Sequence, residues 1–597
     1  MIRHRLVQSL GLGAPLSLCA LLVAAPIVLI RRFALPVPLS DHWAILGNAL
    51  AALDRGDSWA ALLWAQHNEH RLVVGRLADL TLLVMAGAPL IVEQYLLVLL
   101  GAAAGALVWI WTRRDLGARQ TALGWWLLPL TAGLALSPAQ MENWVSPMQV
   151  PVLAQNVAVV AGLMLLGRAP LRPWRVGLAA ACGIAATGCF ASGLLYWPAA
   201  LIPLAAQAGR RRWRWTLAWL AVSAVVWTVY FHGYAAPPGH PAPAQGLAQL
   251  GPMAWFLLAL LGNPIAAALR PQAALAALVM PLVGLLGLAL LTAALVRLWR
   301  QKTGRAAIWP WAGLAAYTLL LAASITAGRI GMGFHLALSP RYITMVWPFW
   351  GAVVALALLA LVPAAESPAV SRAWLGLRAG AGWLLVGGLL VVTLGSINSQ
   401  VQRWTPIMRD RAAAVAELPD VCRGNAELVG QLGLPGQIQE AWPLLLRRGI
   451  VALPAERVDL GALETSPVPV GAVESVSWEE PSGPSRCLRV AGWAGSESPH
   501  GAAREVWLVS GGVVVKRAWV GQHRPHTGPD YDRDPHPASG WTAYLDTRRL
   551  GAGSQELEVI AVFSGTLVPG VPVPGMPVPD SPGAVPPRVV RIGKVSL

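Results

Sequence analysis

Residues 91–111 read IVEQYLLVLLGAAAGALVWIW, twenty-one positions in which Glu93 is the single charged side chain. A hydrocarbon core about 30 Å thick is crossed by roughly twenty apolar helical residues, so this stretch reads as a membrane span. The rest of the chain agrees: 597 residues, 56% hydrophobic, 12% charged and a mean hydropathy of +0.55 exclude a soluble globular protein. Comparable stretches run over Leu10–Ile30, Thr121–Leu136, Val150–Leu166, Val176–Ala191, Gly193–Ala208 and Trp215–Phe231. Ala273–Leu298, Ala306–Ala327, Tyr342–Val362 and Trp374–Ile397 complete eleven expected spans. Glu93 itself reads as a partner for a neighbouring helix.

The net charge of +16 does not point to nucleic acid, because the basic residues punctuate the apolar spans instead of lining one face. Arg113-Arg114 with Arg119, Arg168/Arg172/Arg175, Arg210-Arg211-Arg212/Arg214, Arg297/Arg300/Lys302/Arg305 and Arg372/Arg378 alternate with span pairs, as cytoplasmic loops do. Arg3 and Arg5 put the N-terminus inside, and an odd span count puts everything after about Asn398 outside. The first span is not a cleaved leader on this reading, since Ile27–Ile30 continues the apolar run. Leu72–Leu90, interrupted by Arg76 and Asp79, is expected as an interfacial or re-entrant helix of the first outer loop. Pro252–Ala268 is expected as an outer-surface helix, because Gly262-Asn263-Pro264 would break a simple span. The Trp content, 29 against 7 Phe, reads mainly as interface anchoring at Trp109/Trp111, Trp125-Trp126, Trp309/Trp311 and Trp347/Trp350.

This topology gathers Asp41, His42, the Asn68-Glu69-His70-Arg71 run, Glu142-Asn143-Trp144, His232, His240, Arg329, His335 and Arg341-Tyr342 on the outer side. Ten of the eleven histidines, all but His4, fall there too. Ionisable groups beside a bilayer are costly and usually have a partner or a task, so the gathering favours an outward-facing reaction or binding site. His240, inside a Pro-rich turn, reads as loop structure. His67 and His70 at i,i+3 would share a helix face, but a third metal ligand is not evident beside them.

Past the last span the pattern changes. Residues 399–469 mix charged and apolar positions at helical spacing and read as a helical connector. Residues 470–597 turn to short alternating runs, at 475–478, 487–493, 506–509, 513–520, 541–545, 557–563 and 589–595, which suit a β-sandwich or jelly roll. Val568–Pro587 reads as a long loop before the final strand, and Asp530-Tyr531-Asp532-Arg533-Asp534 as a turn, since Pro535 and Trp541 break the calcium-loop pattern. Trp493, Trp507 and Trp541 suit core packing more often than sugar stacking. Cys19, Cys182 and Cys189 lie in apolar spans as packing residues; Cys422 and Cys487 fall outside, where a disulfide can join connector to β domain.

Asp41 just beyond the first span, Asn68 to Arg71, Glu142-Asn143-Trp144 and Ser339-Pro340-Arg341-Tyr342 come in an order that resembles the bacterial GT-C superfamily of integral membrane glycosyltransferases. Phe190 to Pro198 is similar to a hairpin of the same proteins, and Gly492-Trp493-Ala494 through Leu557-Glu558-Val559 to their appended carbohydrate-binding-like β domains. The resemblance covers residues 1–398 as a GT-C-like transmembrane catalytic domain of a bacterial cytoplasmic membrane. It implies transfer of a sugar from a polyprenyl-phosphate donor to a glycan, lipid or protein acceptor on the outer face. Asp41 would be the general base. Arg71 and Arg341, with His70 and Tyr342, would hold the donor phosphate; His42, Asn68, Glu142 and Asn143 would line the substrate site. Many relatives carry two adjacent acids where His42 follows Asp41 here, so Glu69 is the substitute second carboxylate and a mechanism without cofactor or metal is preferred to one with a divalent ion. Partners are then the donor, the acceptor and membrane lipids. A glycan polymerase or ligase using the same carriers is the alternative, followed by a lipid-linked-glycan transporter, which should show internal repeats and polar mid-span residues.

Overall fold

In the computed structural model, the described residues are 2–117, 121–168, 170–206, 212–237, 250–267, 273–301, 307–361, 372–418, 420, 422, 425–451, 471–478, 487–495, 503, 505–522, 539–546, 556–563 and 588–596. His240, Asp530–Asp534 and the Val568–Pro587 loop lie outside them.

Among the described residues, eight helices are long and apolar enough to cross a membrane: Gly13–Phe33, Ile91–Leu116, Pro147–Leu166, Trp213–Phe231, Leu275–Arg300, Ile308–Met332, Pro340–Leu361 and Gly380–Val415. The other three expected spans are also helical, but Thr121–Ala135, Pro173–Cys189 and Tyr196–Ala205 hold only 15, 17 and 10 residues. At 1.5 Å per residue they reach about 15 to 26 Å, short of the hydrocarbon thickness. Along Arg212–Phe231, the exposed side chains include Leu217, Val225, Trp227, Val229 and Phe231, an apolar outer surface of the kind expected on a membrane-spanning helix.

The chain divides into two compact units, one of Met1–Ala34 with Ala52–Trp404, the other of Leu35–Ala51 with Thr405–Leu597. In the first, the helix Ile343–Leu361 is buried almost throughout and is the centre of the packing. Leu250–Ala266 is not the surface helix expected from Pro252–Ala268. Its second half, Ala259 to Ala266, is buried and packs on Ala273–Arg300. Gly262 is the reason: a Cβ there would collide with the Met280 carbonyl, and one at Gly284 would collide with that of Leu258, so the two glycines let the helices touch backbone to backbone. Gly262-Asn263-Pro264 therefore sits inside a helix instead of breaking it. Trp311, Trp347 and Trp350, read as interface anchors, are buried in the bundle, and Trp350 Nε1 donates to the Leu261 carbonyl at 2.7 Å. Leu72–Leu90 contains a short helix, Val73–Asp79, and a π-helical turn, Leu80–Met85. Neither is long enough to span. Buried Asp79 stands in the electrostatic reach of buried Glu93; both are carboxylates, so this contact is not an ion pair.

Residues 66–71 form a β-hairpin in this unit, β1 (Gln66–His67) against β2 (His70–Arg71), with His67 opposite His70. The expected helix face with both histidines does not exist. Asn68 at the turn has φ +49°, a conformation Asn tolerates better than most residues.

In the second unit all seven expected strands form: β3 (Gly471–Trp478), β4 (Cys487–Ala494), β5 (Glu505–Ser510), β6 (Val513–Gln522), β7 (Gly540–Asp546), β8 (Glu556–Phe563) and β9 (Arg588–Ser596). They pair antiparallel in the order β3-β4-β7-β6-β5-β8-β9. Leu488, Val490, Leu508, Trp541, Ala543, Leu557 and Val559 alternate into one core, so Trp541 is a packing residue. The connector is tied to this sheet twice. Cys422 and Cys487 are joined by a disulfide. Beside it, buried Lys516 of β6 donates to the Glu417 carbonyl at 2.7 Å and pairs with the Glu417 and Asp420 carboxylates at 3.2 and 3.4 Å.

Candidate functional site

The hairpin is fixed before it can act. Gln66 Nε2 donates to the carbonyls of Asn68 and Ala235, both at 2.6 Å, and its Oε1 accepts from the Ala235 amide at 3.0 Å. Arg71 is buried, and each of its three guanidinium nitrogens donates to a main-chain carbonyl: Nε to Tyr230 at 2.9 Å, Nη1 to Trp64 and Nη2 to His232, both at 2.7 Å. Its plane also lies 5.0 Å from the Trp64 ring. Arg71, expected as a phosphate ligand, is thus an anchor of the hairpin, with three of its five N–H donors taken by main-chain carbonyls. Tyr230 completes the clamp by donating its hydroxyl to the Glu69 carbonyl at 3.0 Å.

This clamp presents Glu69 and His70. A Glu69 carboxylate oxygen accepts from Arg329 Nη2 at 2.7 Å and lies 3.6 Å from His70 Nε2. The His70 ring stacks on Phe190 with centroids 3.6 Å apart, and its Nδ1 accepts a 3.4 Å contact from the Ala191 amide. That contact leaves Nε2 to carry the proton toward Glu69. Side-chain exposures of 27% for Glu69, 13% for His70 and 22% for Arg329 keep the cluster reachable by a ligand. Arg329, at the end of its helix, is the member that motif reading left out of the site; its one sequence signal is a cation closing an apolar span.

Residue 330 begins a run of three 3-10 turns, Ile330–Met332, Phe334–Leu338 and Pro340–Tyr342, that leads to Arg341. An apolar groove of about 580 Å³ lies against this run, lined by Gly251, Pro252, Trp255, Phe256, Ile330 and Phe334. Ile330, the residue that follows Arg329 in the chain, is part of its wall.

Arg341 is held from two sides. Asn143 Nδ2 donates to its carbonyl at 3.2 Å and to Thr344 Oγ1, which in turn donates to Gln140 Oε1. Asn156 Nδ2 donates to the Thr344 carbonyl at 2.6 Å. From the other side Asn263 Nδ2 donates to the carbonyls of Ala337 and Ser339 at 3.2 and 3.0 Å. Asn143 and Asn263 are fully buried, so both brace the loop, and Asn143 does not stand in the substrate position expected of it. Arg341 itself lies 5.2 Å over the Tyr342 ring, and its buried Nε has no hydrogen-bond partner among the described residues. Tyr342 is only 5% exposed and belongs to the helical core, which removes it from the expected phosphate contact. Glu142 is half-buried in the short helix Met141–Trp144. Asn68 serves the hairpin turn, with its Nδ2 3.4 Å from His67 Nε2.

Asp41 and His42 belong to the second unit. Ser40, at φ +53°, donates its amide to the Leu432 carbonyl at 2.6 Å. Trp43 lies 6.2 Å from Trp442, and a Cβ at Gly433 would stand 2.8 Å from the Trp43 ring, so that glycine seats the indole. The turn that carries Asp41 is therefore built by the connector, through contacts nearly 400 positions away in the chain. Within the first unit the structure brings together Glu69, His70 and Arg329, and braces Arg341 through Asn143. Comparison with protein-family models, curated proteins and solved structures yields no match.

Proposed function

We propose that the protein is a membrane glycosyltransferase of GT-C type, moving a sugar from a polyprenyl-phosphate donor to an acceptor hydroxyl on the outer face of a bacterial cytoplasmic membrane. In this reading the C-terminal β region is a sandwich or jelly roll on that same side. One observation carries the donor assignment: Arg329, pinned by Glu69, directly precedes the wall of an apolar, aromatic-lined groove. A cation next to an apolar channel matches a ligand with a phosphate head and a hydrocarbon tail.

Asp41 takes the proton of the acceptor hydroxyl as that oxygen attacks the anomeric carbon. The bond from that carbon to the phosphate oxygen breaks on the opposite side, which inverts the configuration. Its electron pair passes to the lipid phosphate, where Arg329 and Arg341 balance the charge, while His70 keeps its Nε2 proton toward Glu69. Arg329 takes the part that sequence assigned to Arg71. Glu69 orients both Arg329 and His70. No step is routed through a metal ion.

The test supplies purified protein with a panel of polyprenyl-phosphate sugars and looks for a new glycosidic product. Movement of labelled lipid across proteoliposomes without any such product would replace this reading by transport.

A further inference from the structure

A second charged cluster stands far from Glu69 and Arg329. Arg114 closes the helix Ile91–Leu116, Arg168 follows Val150–Leu166, and Arg175 lies in the first turn of Pro173–Cys189. Guanidiniums of Arg114 and Arg168 share one indole, lying 5.0 and 4.3 Å from the Trp111 ring, and Arg175 lies 5.3 Å over Trp174. Arg114 and Arg168 act on one carboxylate, Asp115, whose Oδ2 already accepts from Trp311 Nε1 at 2.9 Å, and Arg175 acts on Arg168. Burial, then Arg114 and Arg175, pull Arg168 below the ordinary arginine value, with Asp115 acting the other way. The buried Nε atoms of Arg168 and Arg175 have no hydrogen-bond partner among the described residues.

Like charges gathered at this spacing, with donors turned inward and unused, call for an anion. The surroundings name its source. Trp174 and Leu178 of the same helix are 55% and 49% exposed, an apolar surface that belongs in lipid, so the arginines sit where a bilayer meets water. The helix Pro173–Cys189 separates this cluster from the other one, because His70 touches Phe190 and Ala191 just past its far end. Seventeen helical residues put about 25 Å between them, less than the roughly 30 Å of a hydrocarbon core but enough to set the two clusters at opposite ends of one helix.

We propose that Arg114, Arg168 and Arg175 form a second anion site that takes the phosphate of an anionic phospholipid headgroup at the membrane face opposite the Glu69–Arg329 cluster. Planar guanidiniums suit a phosphodiester through paired N–H···O bonds, and the tryptophans cover its glycerol and first methylenes. Nothing in this assignment depends on glycosyl transfer.

The experiment uses the full-length chain in mixed phosphatidylglycerol and phosphatidylcholine, with retained lipid counted by native mass spectrometry after detergent release. The double variant Arg168→Gln/Arg175→Gln should retain roughly 25-fold less phosphatidylglycerol, with phosphatidylcholine unchanged, since each basic residue near such a headgroup contributes on the order of a factor of five. Arg168→Lys/Arg175→Lys should restore part of it, the share due to charge without the paired guanidinium bonds, which separates lost charge from lost fold. Arg113→Gln, at the same end but stacked 4.2 Å from Trp125, should change little. Equal phosphatidylglycerol retention by the Gln variant would overturn the proposal. So would displacement of the lipid by millimolar inorganic phosphate, which would identify the occupant as a free anion.

Discussion

Glu69 and Arg329 are 260 positions apart in the chain, and their side chains meet at 2.7 Å. The contact joins a hairpin after the first span to the end of a late helix, and so gives Arg329 one orientation beside the apolar groove. Arg329→Ala should raise the KM for the polyprenyl-phosphate donor about 10- to 100-fold, the worth of one or two charge-assisted hydrogen bonds. Glu69→Gln should act in the same direction but more weakly, because it loosens the cation without removing it. Donor titrations at saturating acceptor check both. An unchanged KM in Arg329→Ala would remove the cation from the donor site.

Arg71 gives the opposite pattern. Arg71→Ala strips partners from three carbonyls in a buried position and should destabilise the protein by about 3 kcal/mol or more. Thermal unfolding should show a marked loss, and Arg71→Lys should not repair it, since an ammonium cannot reach three carbonyls in that fork geometry. A variant with full stability and selectively lost donor binding would return Arg71 to the phosphate.

Asn263 and Asn143 brace the Arg341 loop from opposite sides, by two hydrogen bonds each. Asn263→Leu should therefore raise the donor KM several-fold while leaving a folded protein, and Arg341→Ala in the same background should add little. Full additivity of the two changes in a double-mutant cycle would mean that Asn263 does not act through Arg341.

The disulfide between Cys422 and Cys487 closes a loop with a sequence separation of 65. Chain-entropy reasoning assigns such a link about 4 kcal/mol. Cys422→Ser/Cys487→Ser should lower the unfolding temperature of the C-terminal unit and expose the Lys516, Glu417 and Asp420 cluster to proteolysis. No change in protease sensitivity would show that the buried ion cluster holds the connector alone.

Much of the architecture is visible in local pattern. Apolar runs gave eight full-length helices their places, and period-two alternation from Val473 to Val595 marked seven strands, because burial on one face leaves a repeating signature. What pattern misses is set by distant partners. Gly262 and Pro264 look like helix breakers until Gly284 and the Met280 carbonyl are seen against them. Arg71 and Arg329 are both arginines beside apolar spans; only the three carbonyls around one and the carboxylate beside the other tell their settings apart. Asp41 depends on Leu432, Gly433 and Trp442, so its setting could not be read from its own neighbourhood.

In the proposed mechanism Asp41 is the base for sugar transfer. The most direct measurement is product formation by purified Asp41→Asn protein supplied with a polyprenyl-phosphate sugar that the unmodified protein uses. The expected result is a fall in kcat of about 10²- to 10⁴-fold with donor affinity retained. Transfer at the unmodified rate would contradict it.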